Sequence, residues 1–223
     1  MDYTLTRSKR KTVALYVRNG KVEVRAPLAM PERDIDKFVA SKEKWIKEKL
    51  AKSRESLKSQ EAFAPNYGDM VLYRGKQCPI ADRPDNKISF DGERFLMPAH
   101  LAPGQIKSAC VQIYRMLAKN ELTKKTLGFA KRMGVAPSSI KINGATARWG
   151  SCSAKKSINF SWRLIMADDD VIDYVVVHEL AHLTEMNHSK MFWAIVENML
   201  PDYKQRQSRL RELQRRLAGE DWE

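Results

Sequence analysis

His178, His182 and His188 fall within a single run, HELAHLTEMNH, and the first two bracket Glu179 in an H-E-x-x-H pattern. On an α-helix, positions i and i+4 lie one turn apart on one face, so two imidazoles at that spacing can grip one zinc ion with the intervening Glu beside it. His188 supplies a third ligand if the chain reverses after the helix. Three protein ligands leave a fourth position for water, the arrangement of catalytic rather than structural zinc. The implied chemistry is metal-assisted hydrolysis with Glu179 as general base. Glu197, farther on in MFWAIVENML, is a rival third ligand, because other zinc hydrolases recruit a downstream Glu. Arg148, in RWGSC, could stabilise an oxyanion or bind a phosphate, or it could pair with acids ahead of the metal helix. Cys152 is either a small buried residue or an inhibitory zinc ligand. His100 reads as an exposed loop residue, and Trp149, Trp162 and Trp193 read as core.

The elements that must position these residues can be read around them. VIDYVVVHELAHLTEM places Ile172, Val175, Val176, Leu180 and Leu183 at the spacing of a buried helix, with Asp168, Asp169 and Asp170 where acids favour a helix N-terminus. Asn187 is a plausible left-handed helix-ending residue, and Glu185 stands where metzincin peptidases place a turn glycine, so the reversal toward His188 is expected at Asn187. Upstream, IKIN at 140–143, RWGSC and INFSWRLIM are strand-like, the last two joined by a turn between Ser153 and Ser157. A long helix runs from Gln105 to about Met133 on Ile106, Val111, Ile113, Leu117 and Leu122. MFWAIVENML and a last helix, from about Asp202 to Leu217, close the chain. Residues 104–223 thus read as an α+β unit, with helices around a small antiparallel sheet.

Residues 1–103 read as a β-rich unit with one basic helix. KTVALYVRNGKVEVRAP alternates around Asn19-Gly20, a strong hairpin signal. A helix is expected from about Pro31 to Ser56, and MVLYR, QCPIA, KISF and RFLMP are short strands separated by turn residues. The chain carries a net charge of +13. Residues 7–58 hold 16 Lys or Arg against 7 Asp or Glu, which is +9 of that total. A basic face attracts phosphates on nucleic acid or nucleotides, or an acidic protein, or else is simply solvated. Hydrophobic residues at 43% and charged residues at 30% suit a soluble globular protein. No apolar run approaches the roughly 20 residues a bilayer crossing needs, and MDYTLTRSKRKTV has no apolar signal-peptide region. A cytoplasmic protein without a membrane partner is expected. Its three cysteines, Cys78, Cys110 and Cys152, are widely spaced and suit reduced thiols.

The block from Arg148 to Trp193, RWGSCSAKKSINFSWRLIMADDDVIDYVVVHELAHLTEMNHSKMFW, resembles the signature of the YgjP-like metallopeptidase-domain family, related to the WLM and SprT-like zinc peptidases. The resemblance implies a zincin-like catalytic half, one zinc ion on His178, His182 and His188, and Glu179 as catalytic base. It leaves the substrate open. Peptide-bond hydrolysis is the first expectation, with the strand INFSWRLI pairing with an extended substrate. The family is also associated with nucleotide pyrophosphatase activity, UTP being cleaved to UMP and pyrophosphate, and magnesium would then accompany the nucleotide. A third reading, from the SprT-like relatives, is a DNA-associated protease or binding protein that uses the basic helix for phosphate contacts.

Overall fold

The computed structural model describes residues 2–18 and 20–222. The chain forms two compact units: one takes the chain up to Phe63 together with Leu217–Asp221, the other Ala64–Arg216 together with Trp222.

In the first unit β1 (Thr4–Ser8), β2 (Ala14–Arg18) and β3 (Lys21–Pro27) form a sheet in the order β1-β3-β2. β3 pairs antiparallel with β2 and parallel with β1. The expected hairpin is present, and its turn has Gly20 at φ +70, a left-handed conformation that costs glycine little. Asn19 lies outside the described residues. One face of β3, Val22, Val24 and Ala26, is buried against Ile35 and Val39 of α1 (Glu32–Ser41) and Ile46 of α2 (Glu43–Ala62).

The single helix expected over Pro31–Ser56 is therefore two. The break falls at Lys42, whose φ of −109 and ψ of 12 leave the helical region and whose N–H bonds to the Val39 carbonyl. No proline or glycine marks it, so side-chain periodicity could not reveal it. The lysines of α2 are interleaved with Glu43, Glu48 and Glu55, and Lys47 Nζ bonds Glu43 at 2.7 Å. Its solvent faces therefore carry both signs of charge.

In the second unit β4 (Met70–Tyr73), β5 (Lys76–Arg83), β6 (Ser89–Phe90) and β7 (Phe95–Pro98) lie in the order β4-β5-β7-β6, with β5 and β7 parallel. The long helix α3 (Pro103–Met133) follows and ends on Gly134 in the left-handed conformation. Then come β8 (Ser139–Asn143), β9 (Gly150–Cys152), β10 (Ser157–Ser161), a 3-10 turn over Trp162–Met166, and the helices α4 (Asp169–Ala181), α5 (Lys190–Met199) and α6 (Tyr203–Arg216).

The boundary expected at 103/104 does not divide compact units, because the four-stranded sheet has its hydrophobic partner in α3. Tyr114, fully buried on α3, donates its hydroxyl to the Leu72 carbonyl at 2.8 Å, packs on Phe95 at 4.8 Å and stacks on Trp162 at 5.3 Å. The second sheet, in the order β8-β10-β9, is mixed: β10 runs antiparallel to β9 and parallel to β8. No helix among the described residues is long and apolar enough to cross a membrane.

The start of α4 is fixed by charge. Arg74 bonds Asp169 through Nε at 2.7 Å, Lys125 reaches Asp173 at 2.7 Å, and Arg209 reaches Asp168 at 2.6 Å and also bonds Asp170. The Arg74 guanidinium holds the Asp169 carboxyl below its ordinary range, with Lys125 adding to the effect and burial opposing it.

The β4–β5 turn itself docks beside this helix. The N–H groups of Arg74 and Gly75 donate to the carbonyls of Ile165 and Met166, and both residues have positive φ. A Cβ on Gly75 would lie 1.8 Å from Asp168 Oδ1 and 3.3 Å from Asp168 Cα. Gly75→Ala is therefore expected to lower the unfolding free energy by about 2–3 kcal/mol, since left-handed strain and overpacking add. Gly92→Ala has a φ of +107 but no atom within 4 Å of the new Cβ, and should cost only about 1 kcal/mol. Urea titrations of the two variants check this, and equal losses would mean that the turn is not held against Asp168.

Candidate active site

α4 is apolar on nearly every side, with Val171, Ile172, Val175, Val176, Val177, Leu180 and Ala181 all buried, so the polar residues it carries sit at fixed positions in the core. His178 and Glu179 lie in its last turn, and His182 is its C-terminal cap. The chain then turns through hydrogen bonds from the Leu183, Thr184 and Glu185 N–H groups to the carbonyls of Leu180 and Ala181.

His182 Nδ1 lies 3.1 Å from the Glu185 carbonyl, and the Asn187 N–H approaches Glu185 Oε1 at 3.4 Å. The reversal toward His188 thus runs through right-handed turns and the Glu185 groups. Asn187 is not left-handed, the described non-glycine residues with positive φ being Arg74, His100 and Lys156.

The three histidines meet. One ligand atom from each lies within 4.8 Å of the others, and His178 Nε2 and His188 Nε2 are 3.1 Å apart. Two nitrogens on one tetrahedral zinc at about 2.0–2.1 Å sit roughly 3.3 Å from each other, so this separation suits a shared ion. Burial, and after it the neighbouring His182 and His188, lowers the His178 pKa to about 3. Burial also lowers that of His182. A neutral imidazole is the form that ligates a metal. If His182 Nδ1 donates to the Glu185 carbonyl, its Nε2 lone pair is left for the ion. This set of three imidazole nitrogen donors fits zinc.

Glu179 is buried, with 6% of its surface exposed, and burial raises its pKa to about 7 against the opposing charge of Arg148. A carboxyl poised near neutrality is what a general base requires. Its neighbour above is the backbone of β9: a Cβ on Gly150 would lie 2.6 Å from Glu179 Oε1 and 2.8 Å from Cδ. Gly150 therefore has no room for a side chain. The signal in the sequence is a glycine within a strand-like run, which marks a close backbone approach.

Arg148 is exposed on the loop before β9, and its charge is felt at Glu179. It is not the partner of the helix acids, which are taken by Arg74, Lys125 and Arg209. Cys152, on β9, has its thiol pKa raised by burial and then by the charge of Glu179, and it lies outside the three-histidine cluster. Glu197 also lies outside that cluster, exposed on α5, because the helix turns it away from its buried Phe192 and Val196. His100 is an exposed loop residue.

Of the tryptophans expected in the core, Trp162 is buried there and Trp149 is half-buried. Trp193 belongs to the site instead: its ring stacks on His188 at 5.8 Å, next to Phe192, which touches all three histidines at 4.6–4.9 Å.

The strand expected over INFSWRLI is shorter than that and is not an edge. Only Ser157–Ser161 is extended, while Trp162–Met166 winds into the 3-10 turn capped by Ser161, with Leu164, Ile165 and Met166 buried. β10 lies between β8 and β9. The edge beside Glu179 is β9. Trp149 and Ser153 hydrogen-bond inward to Ser161 and Ser157, so by antiparallel alternation the N–H and C=O groups of Gly150 and Cys152 point to the open side.

No curated protein matches the chain. Among solved structures, the crystal structure of the metallopeptidase zymogen of Pyrococcus abyssi abylysin is similar over 40% of this chain and 90% of its own, with 22% identity and a TM-score of 0.38. The sequence profile of the YgjP-like metallopeptidase domain matches residues 11–213, which takes in α4, the loop to His188 and both sheets of the second unit, and by that match the chain belongs to the YgjP-like metallopeptidase-domain family.

Proposed function

We propose that this chain is a zinc-dependent peptidase, with the ion on His178, His182 and His188 and with Glu179 as the general base. The observation that carries the reading is the convergence of three mutually close imidazoles, a buried carboxyl of raised pKa, and the open edge of β9 on one side of α4. Zinc in that position supplies Lewis-acid activation of water and polarisation of the scissile carbonyl.

The remaining steps belong to the protein. An extended peptide adds to β9 through the outward backbone groups of Gly150 and Cys152, which sets its scissile bond beside Glu179. A Glu179 carboxylate oxygen takes a proton from the attacking water and passes it to the leaving nitrogen. Arg148, exposed on the loop before β9, offsets the negative charge that develops on the carbonyl oxygen.

The test is cleavage of an extended-peptide library by the zinc-loaded chain beside Glu179→Gln, with the four ribonucleoside triphosphates, with and without magnesium, as parallel substrates. Peptide products absent from the variant support the reading. Release of UMP and pyrophosphate from UTP, without peptide cleavage and lost in the same variant, would replace it with nucleotide hydrolysis. Salt-sensitive binding of duplex DNA, abolished by charge reversal in α2, is the separate signature of a DNA-associated role.

A further inference from the structure

A metal-ligating histidine is normally oriented by a hydrogen bond from its second ring nitrogen to a carbonyl or carboxylate. His182 has such a partner in the Glu185 carbonyl. The other two have no such partner within the described residues of the protein. Among the described residues, His178 Nδ1 is buried without a hydrogen-bond partner, and His188 hydrogen-bonds only to His178. His188 is moreover the exposed member of the trio, on a loop between α4 and α5. An imidazole so placed loses rotamer freedom when it ligates, and that loss weakens binding unless something else holds the ring.

Aromatic packing supplies the restraint. Trp193 lies nearly parallel to His188, at 29° and 5.8 Å, and meets His178 edge-on at 5.9 Å. The indole is itself fixed, stacked on the buried Tyr203 at 19° and 5.3 Å and set edge-on to Phe192 at 5.1 Å. The helix that carries it starts immediately after His188, with Ser189 Oγ capping the Phe192 N–H. Ring, loop and helix start are therefore joined within six residues.

We propose that Trp193 is a positioning residue for the metal, its indole holding the His188 ring, and through it the His178 ring, where no protein carbonyl or carboxylate orients them. The inference rests on the three-histidine zinc reading. Phe192 touches the same rings but is fully buried, so its loss would unsettle the core. Trp193 is half-buried and can be replaced.

The experiment measures zinc affinity by competition with a chromophoric chelator on the full chain, for the wild type, Trp193→Leu, Trp193→Phe and His178→Ala, together with thermal melting of each metal-free protein. Trp193→Leu should weaken zinc binding about 10–100-fold, the loss typical when an outer-shell partner is removed. Trp193→Phe, which keeps a planar ring, should recover most of it, with metal-free melting unchanged. Wild-type affinity in Trp193→Leu overturns the proposal. If the Leu variant melts early, Tyr203→Leu decides, since removing the ring behind the indole should also weaken zinc, and wild-type affinity there overturns it. His178→Ala separates the two levels: if it binds zinc as the wild type does, the three-histidine reading fails and the proposal with it. If it loses zinc while Trp193→Leu does not, only the role of Trp193 fails.

Discussion

Glu179→Gln is expected to bind zinc as the wild type does and to lose about 10³-fold in kcat, within the 10²–10⁴ range that a positioned proton-transfer group contributes. The amide has nearly the same shape as the carboxyl it replaces, so the contact with Gly150 and the helix packing stay in place. What disappears is the acceptor for the proton of the attacking water. The ligands are untouched, since none of the three close nitrogens belongs to this residue. Removing a charge that burial penalises does not weaken the fold, and the metal-free variant should melt no lower than the wild type. Zinc content by elemental analysis, kcat on a cleaved peptide and the melting curve check the three parts separately. Full turnover in the variant would end the general-base role.

The convergence of the three histidines was legible because their relation is local. His178 and His182 are one helical turn apart, and the apolar spacing of Ile172, Val175, Val176 and Leu180 announces the helix that makes the turn. Even His188, which needs a chain reversal, is near enough in sequence to be expected. The way the reversal is made was not legible. It depends on the Glu185 carbonyl meeting the His182 ring and on successive right-handed turns, and neither leaves a compositional mark of the kind a left-handed glycine leaves.

Non-local features were missed for a different reason. Trp162–Met166 has the composition of a strand, and a short apolar run does not declare whether it extends or winds. The Ser161 cap and the burial of Leu164, Ile165 and Met166 settle it. The order of the second sheet, with β9 outermost, follows from β8 pairing parallel to β10 across a distance in sequence that side-chain alternation cannot see. The division of the chain at Phe63 is of the same kind. A tyrosine in α3 reaching a carbonyl in β4, a contact between residues 42 positions apart, keeps the sheet on the same side of that division as the helix.

Gly150→Ala carries that non-local contact into function. The added methyl would lie 2.6 Å from Glu179 Oε1, 2.7 Å from Cγ and 2.8 Å from Cδ, all closer than carbon and its neighbours can pack. β9 is tied to β10 through Ser161 and Ser157, and α4 is clamped in the core, so the part with freedom to yield is the Glu179 carboxyl itself. A displacement of about 1 Å at a reacting group costs on the order of 10²-fold in rate. The variant is therefore expected to lose about 10²-fold in kcat/KM while its zinc affinity stays near that of the wild type, because the contact is with the base and not with the ligands. Combining it with Glu179→Gln distinguishes this cause from general damage to the strand. If Gly150 acts through the carboxyl, the double variant should be little worse than Glu179→Gln alone, since groups that act as a unit are not additive. Multiplied losses would place the effect of Gly150 on the strand edge and its substrate, and an unimpaired single variant would mean that β9 does not constrain the base at all.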